Sequence, residues 1–339
     1  MSIRFAAVGL NHNHIYGITN QLLAAGAELV WCYAVEPALI TEYTAKFPQA
    51  KVARSEAEVL EDPSIQLVIS AGIPKDRAPL GVRVMQHGKD YIADKPGFTT
   101  LDQLAEVRRV QAETKRIYSV CYSERFENRA TLKAGELVHA GAIGKVVQTI
   151  GMGPHQLGLV RRPDWFFKHE AFGGIICDIA SHQFDQFLYF TSSTNGQIVA
   201  SQIANFHHPD YPELEDFGDV VVRSDHATGY IRVDWFTPDG LGTWGDGRLT
   251  ILGTDGYIEL RKYIDIAGRH GGNHLFLIDN KGTQYINCDD VPYTYGNHIV
   301  QDVLNRTETA MPQAHAFLAS ELALTAQANA QRIVPTGSR

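Results

Sequence analysis

The chain has 339 residues, 44% hydrophobic and 20% charged, with a formal net charge of −8. At ~150 residues per domain this length predicts about two domains, and the apolar content excludes a mainly disordered chain. The acidic balance excludes nucleic-acid or anionic-membrane binding, which needs a basic surface, and no apolar run approaches the ~18 residues of a transmembrane helix.

In chain order, residues 3–9 read as a strand ending in a polar loop. Ile15, Ile18 and Leu22 then recur at helical spacing until Gly26. Residues 29–34 form a second apolar run, and Leu39, Tyr43 and Phe47 mark a helix face before Pro48. Residues 66–71 are a third strand, Leu80 and Val84 belong to a helix closed by Gly88, and 90–93 are a fourth strand. Leu101, Leu104 and Val107 mark another helix, and 117–121 another strand. Such alternation with short connections predicts a doubly wound parallel sheet.

After about residue 125 the pattern changes. A helix over 128–140 leads to a strand at 146–151, and 174–190 read as one long helix. Short apolar runs follow at 198–206, 219–223, 228–236, 248–252, 257–260, 274–278 and 283–286. Turns such as Thr254-Asp255-Gly256 separate them, which predicts a large, mostly antiparallel open sheet in an α+β domain. A final helix is expected over 313–332. The expected division is 1–124, then 125–312, then a C-terminal segment 313–339 packing back on the first domain. The opening residues carry one positive charge and no long apolar region, so no secretory signal is expected. Cys32, Cys121, Cys177 and Cys288 are far apart, as expected of reduced, buried thiols in a cytoplasmic protein.

Three short segments carry the chemistry. Gly9-Leu10-Asn11-His12-Asn13-His14 stands where a dinucleotide fold has G-x-G-x-x-G, and only the first glycine is present. Asn11 tolerates positive φ, which keeps a tight turn there, and Asn13 is a candidate helix cap. Such a loop presents a helix N-terminus to a pyrophosphate; the plainer alternative is an ordinary connection. His12 and His14 bring no evident third ligand, so no metal site is expected. The ribose-binding acid expected at Ala34 is missing; Glu36, two residues on, reaches the ribose or is a solvated turn residue before Pro37.

Asp94-Lys95-Pro96 ends a strand, where ligands of such sheets bind. A lysine there is able to hydrogen-bond a substrate hydroxyl, or it is a surface lysine in a turn. Gly173-Gly174-Ile175-Ile176-Cys177-Asp178-Ile179-Ala180-Ser181-His182-Gln183-Phe184-Asp185 places Asp178 and His182 four apart on one helical face. Histidine suits proton transfer near neutral pH, and a carboxylate beside it orients or tunes it. A satisfied histidine on an amphipathic helix is the structural alternative.

Together these residues resemble the glucose–fructose oxidoreductase/inositol dehydrogenase family, Gfo/Idh/MocA. The resemblance also covers Ala71-Gly72-Ile73-Pro74 and Tyr122-Ser123-Glu124-Arg125-Phe126; the lysine motif is usually Glu-Lys-Pro, so Asp94 departs from it. It implies a Rossmann domain, a second domain with a large open sheet, and hydride exchange between NAD or NADP and a sugar, inositol or related polyol. It implies His182 as proton acceptor, Lys95 as hydrogen-bond donor to the same oxygen, and Asp178 as substrate ligand or guide for His182, with the substrate between the domains. The implied cofactor residues are Gly9, Leu10, Asn11, His12, Asn13, Glu36, Ala71, Gly72, Ile73, Pro74, Asp94, Lys95 and Pro96. Glu36 tips the expectation toward NAD. Tyr122 and Trp165 are candidate substrate contacts with core roles as alternatives. Arg161 and Arg162 read as a solvated loop pair, and Asp185 and Tyr122 are reserve proton acceptors. Two other function classes remain on the same fold: an NAD-dependent glycoside hydrolase or lyase, and a non-catalytic regulator binding dinucleotide or sugar. A homodimer or homotetramer built through the second sheet is expected, because an open sheet face is costly to leave in water.

Overall fold

The computed structural model describes residues 2–334. The chain divides into two compact units, Met1–Ser123 with Tyr293–Phe317, and Glu124–Pro292 with Leu318–Arg339.

The first unit alternates β1 (Arg4–Val8), α1 (His14–Ala24), β2 (Glu28–Tyr33), α2 (Pro37–Lys46), β3 (Lys51–Val52), α3 (Glu56–Glu61), β4 (Leu67–Ser70), α4 (Pro74–Gln86), β5 (Asp90–Asp94), α5 (Leu101–Thr114) and β6 (Tyr118–Cys121). All pairings are parallel, in the order β3-β2-β1-β4-β5-β6. The central strands are covered on both faces, which is why β1, β4 and β5 read as continuous apolar runs rather than alternating ones. Ile15, Ile18 and Leu22 form the buried stripe of α1. Thr100 starts α5 by accepting from Gln103 N–H at 3.2 Å. Strand order reverses between β1 and β4, so the loops after these strands lie at the switch point where such folds bind ligands. A helix unmarked in the sequence, Tyr295–Asn305, packs on α1.

The second unit begins within α6 (Ser123–Phe126), at Glu124, and continues with α7 (Arg129–His139), β7 (Val146–Pro154), α8 (His169–Phe172), a π-helical turn (Ile176–Ala180) and α9 (Ser181–Thr191). Strands β8 (Gln197–Ala204), β9 (Phe217–Arg223), β10 (Thr228–Asp234), β11 (Gly247–Gly253), β12 (Gly256–Lys262), β13 (Asn273–Asp279), β14 (Gly282–Asn287) and β15 (Gln331–Ile333) complete it. The nine strands run β14-β13-β12-β11-β7-β10-β9-β8-β15. Only β7–β10 and β8–β15 are parallel pairs, so the expected mostly antiparallel sheet is present. Leu249, Ile251, Ile258, Leu260, Leu275 and Leu277 alternate inward against Ala130, Ala134 and Val138 of α7 and Phe190 of α9. The opposite side chains, among them Tyr230, Leu252, Tyr257 and Tyr285, remain partly or largely exposed.

Two helix expectations need correction. Residues 174–190 are not one α-helix, because a π turn occupies Ile176–Ala180 before α9 begins. The final helix stops at Ala328 rather than running to 332, since Gln331–Ile333 pairs with β8 as a short edge strand. The edge's unpaired backbone groups outbid another helical turn. Among the described residues no helix is long and apolar enough to cross a membrane.

Candidate active site

In the first unit, backbone bonds build the loop after β1. Gly9 N–H donates to Tyr33 O at 2.9 Å, Ala71 N–H to Gly9 O at 3.0 Å, and His12 N–H to Ala71 O at 2.9 Å. Gly9 has φ +78°, and a Cβ there would lie 2.9 Å from Gly72 Cα. Only glycine meets both conditions. Loops 9–13 and 71–74 therefore lie side by side at the switch point, floored by backbone. That cradle, at the start of α1, fits a dinucleotide pyrophosphate.

The two asparagines act differently from expectation. Asn11 is not at positive φ; the non-glycine residues that are, among those described, are Lys115, Ser192, Tyr263 and Arg306. Instead its Nδ2 donates to Glu36 Oε1 at 2.9 Å, which holds the carboxylate beside the loop. Asn13 occupies the N-cap position of α1 but makes no side-chain cap bond. Its φ of −61° and ψ of −18° are helical, whereas a capping side chain needs an extended residue.

Asp94 is the hub of this unit and is fully buried. Its Oδ1 accepts from Lys95 N–H at 2.8 Å and lies 2.8 Å from His14 Nδ1. Its Oδ2 lies 3.1 Å from His12 Nδ1 and 3.2 Å from Arg77 Nη2. Arg77 also donates Nε–H to Gly72 O at 2.7 Å and Nη1 to the carbonyls of Lys95 and Pro96. Burial opposes the Asp94 charge, but His14, Arg77 and the bonds from both histidines outweigh it and hold the carboxyl well below the usual range. Desolvation, then the neighbouring His14, pushes His12 down to about 4, with Asp94 opposing.

The sequence offered no third ligand beside His12 and His14, yet Asp94 brings a donor atom within 4.8 Å of theirs. The carboxylate's partners account for this convergence as a clamp tying loop 12–14 to the strand end that carries Lys95. Arg77 was missed. Its signal was a charged residue on the same helical face as Leu80 and Val84, and it is only 2% exposed.

In the second unit, distant segments fix the start of the histidine helix. Ile175 N–H donates to Glu215 Oε2 and Ile176 N–H to Gln327 Oε1, both at 2.9 Å. Gly174 has φ +92°, and a Cβ there would lie 2.2 Å from the Gln327 side chain. The Gly-Gly pair thus makes room for the groups that satisfy the helix's first donors. Asp178 lies in the π turn and His182 in the first turn of α9, both buried. A π turn closes five residues on rather than four, which still leaves these two about one turn apart.

Asp185 is held by Arg125 through two 2.7 Å bonds, so this reserve acceptor is committed to a buried ion pair. Arg162 corrects the solvated-pair expectation. It is half-buried, its guanidinium 4.3 Å from the Phe166 ring centroid and 4.8 Å from that of Trp235. Arg161 is exposed. Trp165 sits partly exposed in the turn Asp164–Phe167, and Tyr122 is buried just after β6. Lys95 and Tyr122 thus belong to the first unit; Asp178, His182 and Trp165 belong to the second.

Residues 131–259 match the family model described as GFO/IDH/MocA C-terminal domain. The chain is 26% identical over 290 residues to scyllo-inositol 2-dehydrogenase (NAD(+)) of Bacillus subtilis, spanning 84% of this chain and 79% of that one. A crystal structure from Erwinia carotovora atroseptica, provisionally described as an oxidoreductase, is 49% identical, covers 98% of this chain and 100% of its own, and superposes with a TM-score of 0.95. Levoglucosan dehydrogenase in complex with NADH and levoglucosan shares the fold, with a TM-score of 0.79 at 16% identity over 97% of this chain and 96% of that one.

Proposed function

The chain belongs to the Gfo/Idh/MocA family of oxidoreductases, and from that premise we propose that it is an NAD(P)-dependent dehydrogenase of a secondary hydroxyl on a sugar, inositol or related polyol. The observation that carries this reading is the Asp94 clamp. It ties Lys95 to the loop that cradles the pyrophosphate, with Arg77 bridging the carbonyls of Gly72 and Lys95.

Gly9, Leu10, Asn11, His12 and Asn13 hold the pyrophosphate together with Ala71, Gly72, Ile73 and Pro74. Glu36, steadied by Asn11, accepts from the adenosine ribose. A carboxylate there repels a 2′-phosphate, which favours NAD. When bound, the nicotinamide supplies the redox chemistry. His182 takes the proton of the reacting hydroxyl, and Lys95 donates a hydrogen bond to the same oxygen. Asp178 binds a neighbouring hydroxyl or steers His182. The relative's name supports an inositol or a similar polyol as substrate.

Calorimetry with NAD+ and NADP+, followed by NADH formation on a panel of inositols and sugars, tests this reading. The expected result is binding of at least one cofactor, tighter for NAD+, and net reduction with at least one polyol. No binding at millimolar cofactor overturns the redox reading. Product formation without net reduction moves the enzyme to the hydrolase or lyase class.

The partly exposed outer face of the second sheet supports a homodimer or homotetramer built through it. Light scattering at micromolar protein is expected to show two or four chains; a monomer overturns that assembly. The burial of all four cysteines supports a cytoplasmic enzyme.

A further inference from the structure

We propose that Glu124 is a positioning residue for His182: its buried carboxylate, anchored by Gln183, Gln186 and Lys262, favours the protonated imidazole that forms when His182 accepts a substrate proton. The inference rests on the reading of His182 as proton acceptor.

Glu124 and Lys262 are 2% and 1% exposed. Burying such a pair carries a desolvation penalty that their attraction has to return, and an apolar pair of similar size often does as well. Stability alone therefore gives no reason for charges here. The Oε2 atom of Glu124 accepts from Gln183 Nε2 at 3.0 Å, Gln186 Nε2 at 3.3 Å and Lys262 Nζ at 3.0 Å. Its Oε1 is equally buried and has no hydrogen-bond partner among the described residues. Both glutamines follow the histidine on α9, one and four residues on, and Gln186 Nε2 also donates to His182 O at 2.9 Å. Room for this arrangement is built into β7. A Cβ at Gly151 would lie 2.6 Å from Gln183 Cγ, and one at Gly153 3.2 Å from Gln183 Nε2.

Through Gln186, which bonds both the carboxylate and the His182 carbonyl, Glu124 is tied to the turn of α9 that carries the histidine. Burial opposes the Glu124 charge, but Lys262, His182 and His155 hold its carboxyl down at about 2. Asp185, paired with Arg125, acts on Lys262, and Asp178 stands four residues before His182 in the preceding turn. Lys262 offsets part of the Glu124 charge, so substitutions of the two residues act in opposite directions on His182.

NMR titration of histidine-labelled full-length protein tests the proposal without depending on turnover; the His182 signal is assigned by its loss in His182→Asn. Glu124→Gln is expected to lower the His182 midpoint by about one pH unit or more, because a nearby negative charge is removed. Lys262→Met is expected to raise it. Glu124→Asp keeps the charge and is expected to stay near wild type, which guards against a variant that misfolds. With an active substrate, Glu124→Gln lowers kcat by up to ~10-fold, because an imidazole weaker by about one pH unit accepts the proton less readily. The KM for NAD+ is unchanged, and the acidic limb of kcat/KM moves to lower pH. An unmoved His182 midpoint in a folded Glu124→Gln protein overturns the proposal. Normal turnover in His182→Ala overturns the underlying reading instead, and the two failures are separately visible.

Discussion

Replacing His182 with alanine is expected to lower turnover ~10²–10⁴-fold if it is the proposed proton acceptor, the usual effect of losing such a group. Cofactor affinity stays near wild type, because His182 lies in the second unit and the pyrophosphate cradle in the first. Its backbone is fixed independently of its ring. The π turn is anchored by Glu215 and Gln327, and Gln186 grips the His182 carbonyl. The variant is therefore expected to fold. Lys95→Met is expected to fall by a similar factor. Its main chain remains held through the Lys95 N–H to Asp94 bond, so the loss reports the ammonium group alone. Steady-state NADH formation, paired with calorimetry for NAD+, reads both variants. Near-normal turnover in His182→Ala moves the proton acceptor elsewhere, with Tyr122 next in line because Asp185 is committed to Arg125. Asp178→Asn separates its two roles: a raised KM marks a substrate ligand, a lowered kcat a guide for His182.

Removing Asp94 is expected to have the largest effect on stability. Asp94→Ala costs about 3–5 kcal/mol, because the buried Arg77 guanidinium loses its counter-charge. The same change frees His12 and His14 from the strand end, so cofactor affinity falls with it. In Arg77→Met/Asp94→Ala the loss is smaller than the sum of the single losses. Urea unfolding of the full chain measures this, and strict additivity would show that the two side chains are not coupled. The clamp also sets an acid limb. His12 titrates at about 4 when folded against 6.5 ordinarily, so between these values the unfolded chain holds a proton that the folded chain lacks. Stability contributed by neutral His12 is thus fully present above pH 6.5 and is lost as pH falls toward 4. Asp94, depressed below the ordinary carboxylate range, adds its own loss at still lower pH. His12→Asn is expected to flatten the first of these two slopes.

Much of this was legible in one dimension, for a definite reason. Hydrophobic periodicity is local, so the alternation of strands and helices in the first unit and the run of short strands in the second could be read from spacing. The family motifs are likewise contiguous: Asp94-Lys95-Pro96 and the Gly-Gly to His182 segment each bring their own backbone constraints. Gly9 and Gly174 lie inside these motifs, and both have positive φ. What the sequence hid depends on partners far along the chain. The Asp94 clamp joins residues 12, 14, 77 and 94, and no spacing rule connects a loop histidine to a strand end 80 residues away. The start of the π turn is held by Glu215 and Gln327, 40 and 151 residues along the chain from the groups they bind. Asn11 looked like a turn residue until Glu36 came within 2.9 Å. Glu124 read as one letter of a motif, while its role follows from a lysine 138 residues later. Periodicity and turn chemistry are written in neighbouring residues and determine which elements form. Charge pairing and burial are decided by contacts that exist only once those elements have packed.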